Sequence, residues 1–258
     1  MFSSLPPEII NAIILEFSGD FESLEACSRV SSYFCDISQQ LLFKTLTIDL
    51  KPYPSIQYTN LQDIFSDNTR PGLCVRVLRL KVSPETATDV LYYMQHLRSI
   101  SIEPHDSATP WSSMSEKLRA ALITLLSLPT LVQLKIATES QIPLIFLRQC
   151  PQLKDLQIMD QLPDHTLGNC PQSCPNFSRP TYGYFESLTA QSCDVCEEVL
   201  KGLTDRDPAS RLSVNQLRRF NGEILDSRSV DVFQKFINLC AGFLEIINIV
   251  ILFGMPES

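Results

Sequence analysis

One pattern constrains this chain more than anything else in it. From residue 43 onward, six residues recur as apolar-x-x-apolar-x-apolar. Five units are clear: Phe43-x-x-Leu46-x-Ile48, Val75-x-x-Leu78-x-Leu80, Leu97-x-x-Ile100-x-Ile102, Leu131-x-x-Leu134-x-Ile136 and Leu153-x-x-Leu156-x-Ile158. Weaker copies begin at Phe185, Leu217 and Leu244, and the starting points lie 32, 22, 34, 22, 32, 32 and 27 residues apart. Residues two apart in an extended chain share a face. Leu78/Leu80, Ile100/Ile102 and Leu134/Ile136 therefore point into one core, while Arg79, Lys81, Ser99, Ser101, Gln133 and Lys135 point away from it.

Between the units, Val90-Leu91-Met94, Leu118-Leu122-Leu125-Leu126 and Val230-Phe233-Phe236-Ile237-Cys240 have helical spacing. Leu128-Pro129-x-Leu131 and Cys150-Pro151-x-Leu153 look like equivalent turns into successive strands. Strand and helix in alternation predict an α/β fold, with parallel strands on one face and helices on the other. The whole pattern resembles a leucine-rich repeat in a degenerate form with insertions. Such a solenoid needs both ends covered. The nearly all-apolar run Ala241 to Phe253 is expected to be a buried last strand closing one of them.

The first fifty residues read differently. Pro6-Pro7-Glu8 suits a helix start, because proline there forfeits no hydrogen bond and the carboxylate faces the positive end of the helix dipole. Ile9, Ile10, Ile13, Ile14 and Phe17 follow at helical spacing, and Gly19-Asp20 breaks the run. A second helix carries Phe21, Leu24, Cys27 and Val30, and a third, capped by Ser31 or Ser32, carries Phe34, Ile37 and Leu41. So short a segment cannot bury all of its large apolar side chains in a core of its own. Some must meet another surface, in this chain or in a partner.

Leu5-Pro6-x-Glu8-Ile9-Ile10, then Ile13-Ile14, Leu24, Cys27, Val30-Ser31, Phe34 and Leu42-Phe43, resembles an F-box in order and spacing over roughly residues 3–46. Phe34 and Phe43 stand where that family often has tryptophan. The resemblance implies docking on the Skp-type adaptor of a Skp–cullin–F-box ubiquitin ligase, through Leu5, Pro6, Ile9, Ile10, Ile13, Leu24, Cys27, Val30, Phe34, Leu42 and Phe43. Residues 1–50 hold two cations against seven carboxylates, a net of −5. That adaptor family is also acidic, so burial rather than long-range attraction must drive the contact, at roughly 1.5–3 kcal/mol per large side chain removed from water.

Two stretches break the repeat. Glu103 to Ser115 holds the one tryptophan, Trp111, and Asp160 to Tyr184 holds four prolines with no usable period. Both read as loops, as does the shorter Asp205 to Ser210. Trp111, Tyr182 and Tyr184 are candidate anchors for a partner, and Arg79, Lys81, Ser101 and Lys135 mark a candidate binding strip on the strands. The competing reading has the aromatics folded back over the repeats and the strip merely solvated.

Counting excludes much else. Eight scattered glycines form neither a dinucleotide turn nor a phosphate loop, and three histidines form no metalloprotease helix. No G-x-S-x-G elbow supports serine catalysis, so no enzyme, cofactor or catalytic residue is expected. Cys170-x3-Cys174 with Cys193-x2-Cys196 superficially matches a four-thiolate zinc site. Core packing of Cys193 and Cys196 with Leu200 and Leu203 on one helix face is the preferred reading. A net charge of −8 speaks against nucleic acid as a partner. No signal segment is visible at the start, and Glu245 and Asn248 interrupt the terminal apolar run, so no membrane role is expected. Nine cysteines, an odd number, fit a reducing compartment, cytoplasmic or nuclear.

The expected organisation is thus an F-box over 1–46 and a repeat domain over 47–258. The expected function is a substrate receptor that holds an unidentified target protein near the ligase. The alternative is a repeat scaffold without a ligase role, its helical head serving only as a cap.

Overall fold

The structure is a computed structural model that describes residues 5–49, 56–83, 88–104, 113–137, 147, 150–159, 185–191, 196–197, 199–200, 216–224 and 227–251. Its head is three helices: α1 (Pro7–Glu16), α2 (Phe21–Ser28) and α3 (Ser32–Leu42). Each boundary has a local cause. Pro7 opens α1. Gly19, at φ +106°, turns the chain through a conformation that side-chain-bearing residues avoid. An Asp20 carboxylate oxygen then accepts the Ser23 N–H at 3.1 Å, and Ser31 Oγ accepts the Phe34 N–H at 3.3 Å.

After the head, all eight six-residue units become strands: β1 (Thr45–Asp49), β2 (Val77–Val82), β3 (Ser99–Pro104), β4 (Gln133–Ala137), β5 (Asp155–Met159), β6 (Ser187–Ala190), β7 (Arg219–Ile224) and β8 (Ile246–Ile251). They form one parallel sheet in chain order, β1 to β8. Equivalent positions of the units are paired across it. Leu46, Leu78, Ile100, Leu134, Leu156, Leu188, Phe220 and Ile247 form one continuous row. The next row on that face runs Ile48, Leu80, Ile102, Ile136, Ile158, Ala190, Gly222 and Ile249. Most of these residues are fully buried. The carbonyl just ahead of each strand accepts two N–H groups from the next, as Lys44 does from Arg76 and Val77 and Arg76 does from Arg98 and Ser99. Stacking is therefore fixed where the chain enters the sheet.

Helices α4 (Ile56–Asp67), α6 (Glu116–Leu126) and α7 (Ser227–Cys240) cover the apolar face, and the short α5 (Arg70–Cys74) packs beside α3 and α4. The stretch around Val90, expected to be an α-helix, is a 3-10 turn at Asp89–Tyr93, because only 22 residues separate the starts of those two units. In α7, Phe233 and Phe236 close on Phe220 at 5.5 and 5.0 Å between ring centres, whereas Val230 is exposed. Glu103 and Pro104, expected to lie in a loop, extend β3, and Ser115 caps α6 through its hydroxyl.

The core is divided. Ile10, Ile14 and Leu24 form the centre of the head, with Phe17, Phe34, Ile37, Leu41 and Leu42 around them. A second, larger cluster runs between the sheet and its helices. Phe43 and Leu46 pack against this second cluster, so the expected division at 46/47 falls inside β1. Phe43 stands edge-on to Phe65 of α4, which stands edge-on to Tyr93.

One expectation fails at the far end. The last described strand, Ile246–Ile251, is not buried: Ile246, Ile247, Val250 and Ile251 are about half exposed. Among the described residues, β8 has no neighbour beyond it in the sheet. Among the described residues, a nearly continuous apolar strand thus stands at an open edge where a buried one was expected.

Candidate functional site

Two surfaces stand out. The first belongs to the head. Helix α1 is apolar on two adjoining stripes, and only one of them is used internally. Ile10 and Ile14, four apart, are buried in the head's core. Ile9 and Ile13, also four apart, are 48% and 44% exposed, and Leu5 continues their line. Phe21 at the start of α2 is 66% exposed, and Val30 beyond its end is 58% exposed. Leu15 and Tyr33 add further exposed area. Charges are sparse on the α1 stripe, so the patch gains chiefly by being covered.

The structure sorts the expected docking residues into three groups. Leu5, Pro6, Ile9, Ile13 and Val30 are exposed. Cys27, Phe34, Leu42 and Phe43 are half-buried, Phe34 and Leu42 against the head's core and Phe43 against the sheet's. Ile10 and Leu24, also implied as docking residues, are 6% and 2% exposed and sit in the head's own core. Leu15, Phe21 and Tyr33 are exposed as well but stand outside the expected docking set. The exposure of Phe21 was signalled by its place directly after the Asp20 cap, in a first turn that also carries Glu22.

The second surface is the other face of the sheet. A groove of about 610 Å³ crosses β1 to β5 there. The register sets Arg79, Ser101 and Lys135 in one row, and Lys81 beside Asp49 and Glu103 in the next. Two strand spacings separate Arg79 from Lys135, roughly 10 Å. Arg79 and Lys81 are exposed, Ser101 and Lys135 half-buried, and all four line the groove. The neighbouring polar side chains hold one another. Ser99 Oγ donates to Gln133 Oε1 at 3.0 Å, Gln133 Nε2 to Asp155 Oδ2 at 2.9 Å, and Ser101 Oγ to Glu103 Oε1 at 3.1 Å. The groove lining therefore pairs a fixed polar floor with three cations and one carboxylate, Glu103.

Trp111, Tyr182 and Tyr184 lie outside the described residues, as do Cys170, Cys174 and Cys193. Cys196 is fully buried. Among the described residues, no group of three or more His, Cys, Asp or Glu side chains is placed to hold a metal ion. Also among them, no helix is long and apolar enough to cross a membrane. Burial pushes the Cys150 thiol up to about 12 and the Cys240 thiol up to about 11. Such thiols are core packing, not nucleophiles. The lowered carboxylates have local causes: Asp20 accepts the Ser23 hydroxyl, and Glu186 accepts Lys154 Nζ at 2.9 Å.

No protein-family model matches the chain, and no curated protein matches it by sequence.

Proposed function

We propose that this chain is a non-catalytic receptor whose head docks on a Skp-type adaptor and whose strands present a target protein for ubiquitination. One observation carries the reading. The head closes a core of its own around Ile10, Ile14 and Leu24 and still leaves Leu5, Ile9, Ile13, Phe21 and Val30 uncovered. A helical cap serving only the sheet would have turned its second apolar stripe inward. The F-box resemblance of residues 3–46 names the partner, and the stacked units, as degenerate leucine-rich repeats, supply the target platform. The receptor acts by proximity: it raises the effective concentration of target lysines near a charged ubiquitin carrier and contributes no reacting group. In this reading the groove with Arg79, Lys81, Ser101 and Lys135 meets the target.

Co-expression with a Skp-type adaptor tests the proposal. The expected result is a stoichiometric complex that survives gel filtration. Separate elution of two soluble, folded proteins contradicts it.

A second reading has its own observation. Arg70 of α5 donates to Asp36 of α3 at 2.9 Å, tying the head to the sheet as a cap would be tied. Both side chains are at least half exposed, so the pair is worth no more than about 1 kcal/mol. It supports a scaffold with a capping head only weakly.

A further inference from the structure

We infer that β8 is a joining edge: two copies of this chain pair through it, antiparallel, about a two-fold axis passing through Asn248. The inference does not depend on the proposed function. β8 is the last strand of the sheet and its far side has no neighbour among the described residues. Its sequence, Ile246-Ile-Asn-Ile-Val-Ile251, has no charge and no proline. Those are the usual devices that keep an edge strand from pairing. Its side chains are exposed on both faces of the sheet, so another strand, rather than a helix laid on one face, is the occupant that covers them.

The register makes a second β8 complementary to the first. Antiparallel partners that face each other point to the same side of the sheet. Centred on residue 248, Asn248 meets Asn248, Ile246 meets Val250 and Ile247 meets Ile249. In each chain Asn248 Nδ2 already donates to Asn221 Oδ1 at 2.9 Å, and Asn221 Nδ2 to Thr189 Oγ1 at 3.0 Å. Its second amide hydrogen can donate to the partner's Asn248. The polar row would then run unbroken across the axis. The flanking rows agree in charge as well. Arg219 is paired in register with Ile246, and Glu223 with Val250. Across the axis each row reads Arg219, Ile246, Val250, Glu223, so a cation ends one side and a carboxylate the other. Such a contact closes on itself as a dimer and does not propagate.

Sedimentation velocity of the full chain, over roughly 1–100 μM, is expected to show a monomer–dimer equilibrium. Val250→Lys should weaken the dimer at least about tenfold. Adding Ile246→Glu should restore it, because the row then alternates in sign. Asn248→Cys should give a disulfide-linked dimer on mild oxidation, whereas Val250→Cys should not, since the two copies of residue 250 stand far apart in this register. A monomer throughout, assemblies larger than dimers, or a dimer indifferent to Val250→Lys would each overturn the inference. So would a dimer dispersed by Ile9→Glu, which would place the contact on the head.

Discussion

Gly72 shows how closely the first layers of this molecule are fitted. A Cβ at that position would lie 2.8 Å from Tyr93 Cβ and 2.9 Å from the Tyr93 carbonyl oxygen, where α5 meets the 3-10 turn. Neither atom is the free end of a side chain, so relief requires moving backbone. Gly72→Ala is expected to cost about 1–3 kcal/mol, seen as a lower urea midpoint with an unchanged slope. A midpoint equal to or above the wild type would show that the two elements are not in contact. The thiols offer a second test at this scale. With Cys150 pushed up to about 12 and Cys240 up to about 11 by burial, both are protonated at neutral pH and out of reach. Iodoacetamide should spare them in the folded chain and modify both in urea. Prompt labelling of either in the folded chain would contradict their placement in the core.

At the scale of the element, α1 carries the argument, and it also marks what the sequence did and did not disclose. Spacing alone finds the helix, its proline start and its glycine end. It cannot choose between the stripe of Ile9 and Ile13 and that of Ile10 and Ile14, since both are isoleucines four apart. Only packing against Leu24 decides that the second stripe turns in. The stripes should therefore respond differently to truncation. Ile14→Ala, at a fully buried site, is expected to destabilise the head by about 2–5 kcal/mol. Ile13→Ala, at an exposed one, should fall within about 0.5 kcal/mol of the wild type. Equal losses in chemical denaturation would contradict the assignment of faces. The strands were the most legible elements. Even the weak units at Phe185, Leu217 and Leu244 became β6, β7 and β8, because a two-residue alternation fixes faces whatever the side-chain size. The pattern is silent on whether a neighbour exists: the apolar run around β8 pointed to burial, and its side chains are exposed. Helix α4 went unread, although Tyr58, Leu61 and Phe65 have helical spacing and Phe65 is fully buried.

For the whole molecule, two separate cores leave two kinds of surplus surface. The sheet's polar face has an internal network of Ser, Gln and Asp side chains, so its groove is shaped before any partner arrives. The head's face is of another kind. It is apolar, uncovered and set on helices whose own core is complete, which is the arrangement expected of a surface that is buried only in a complex. The most direct test is a calorimetric titration of a Skp-type adaptor into the full chain and into an Ile9→Glu, Ile13→Glu double variant, with melting temperatures measured alongside. The predicted result is adaptor binding that disappears in the variant while its melting temperature stays that of the wild type. Binding that survives the two glutamates, or a variant that loses its stability instead of its partner, would contradict the docking role of the head.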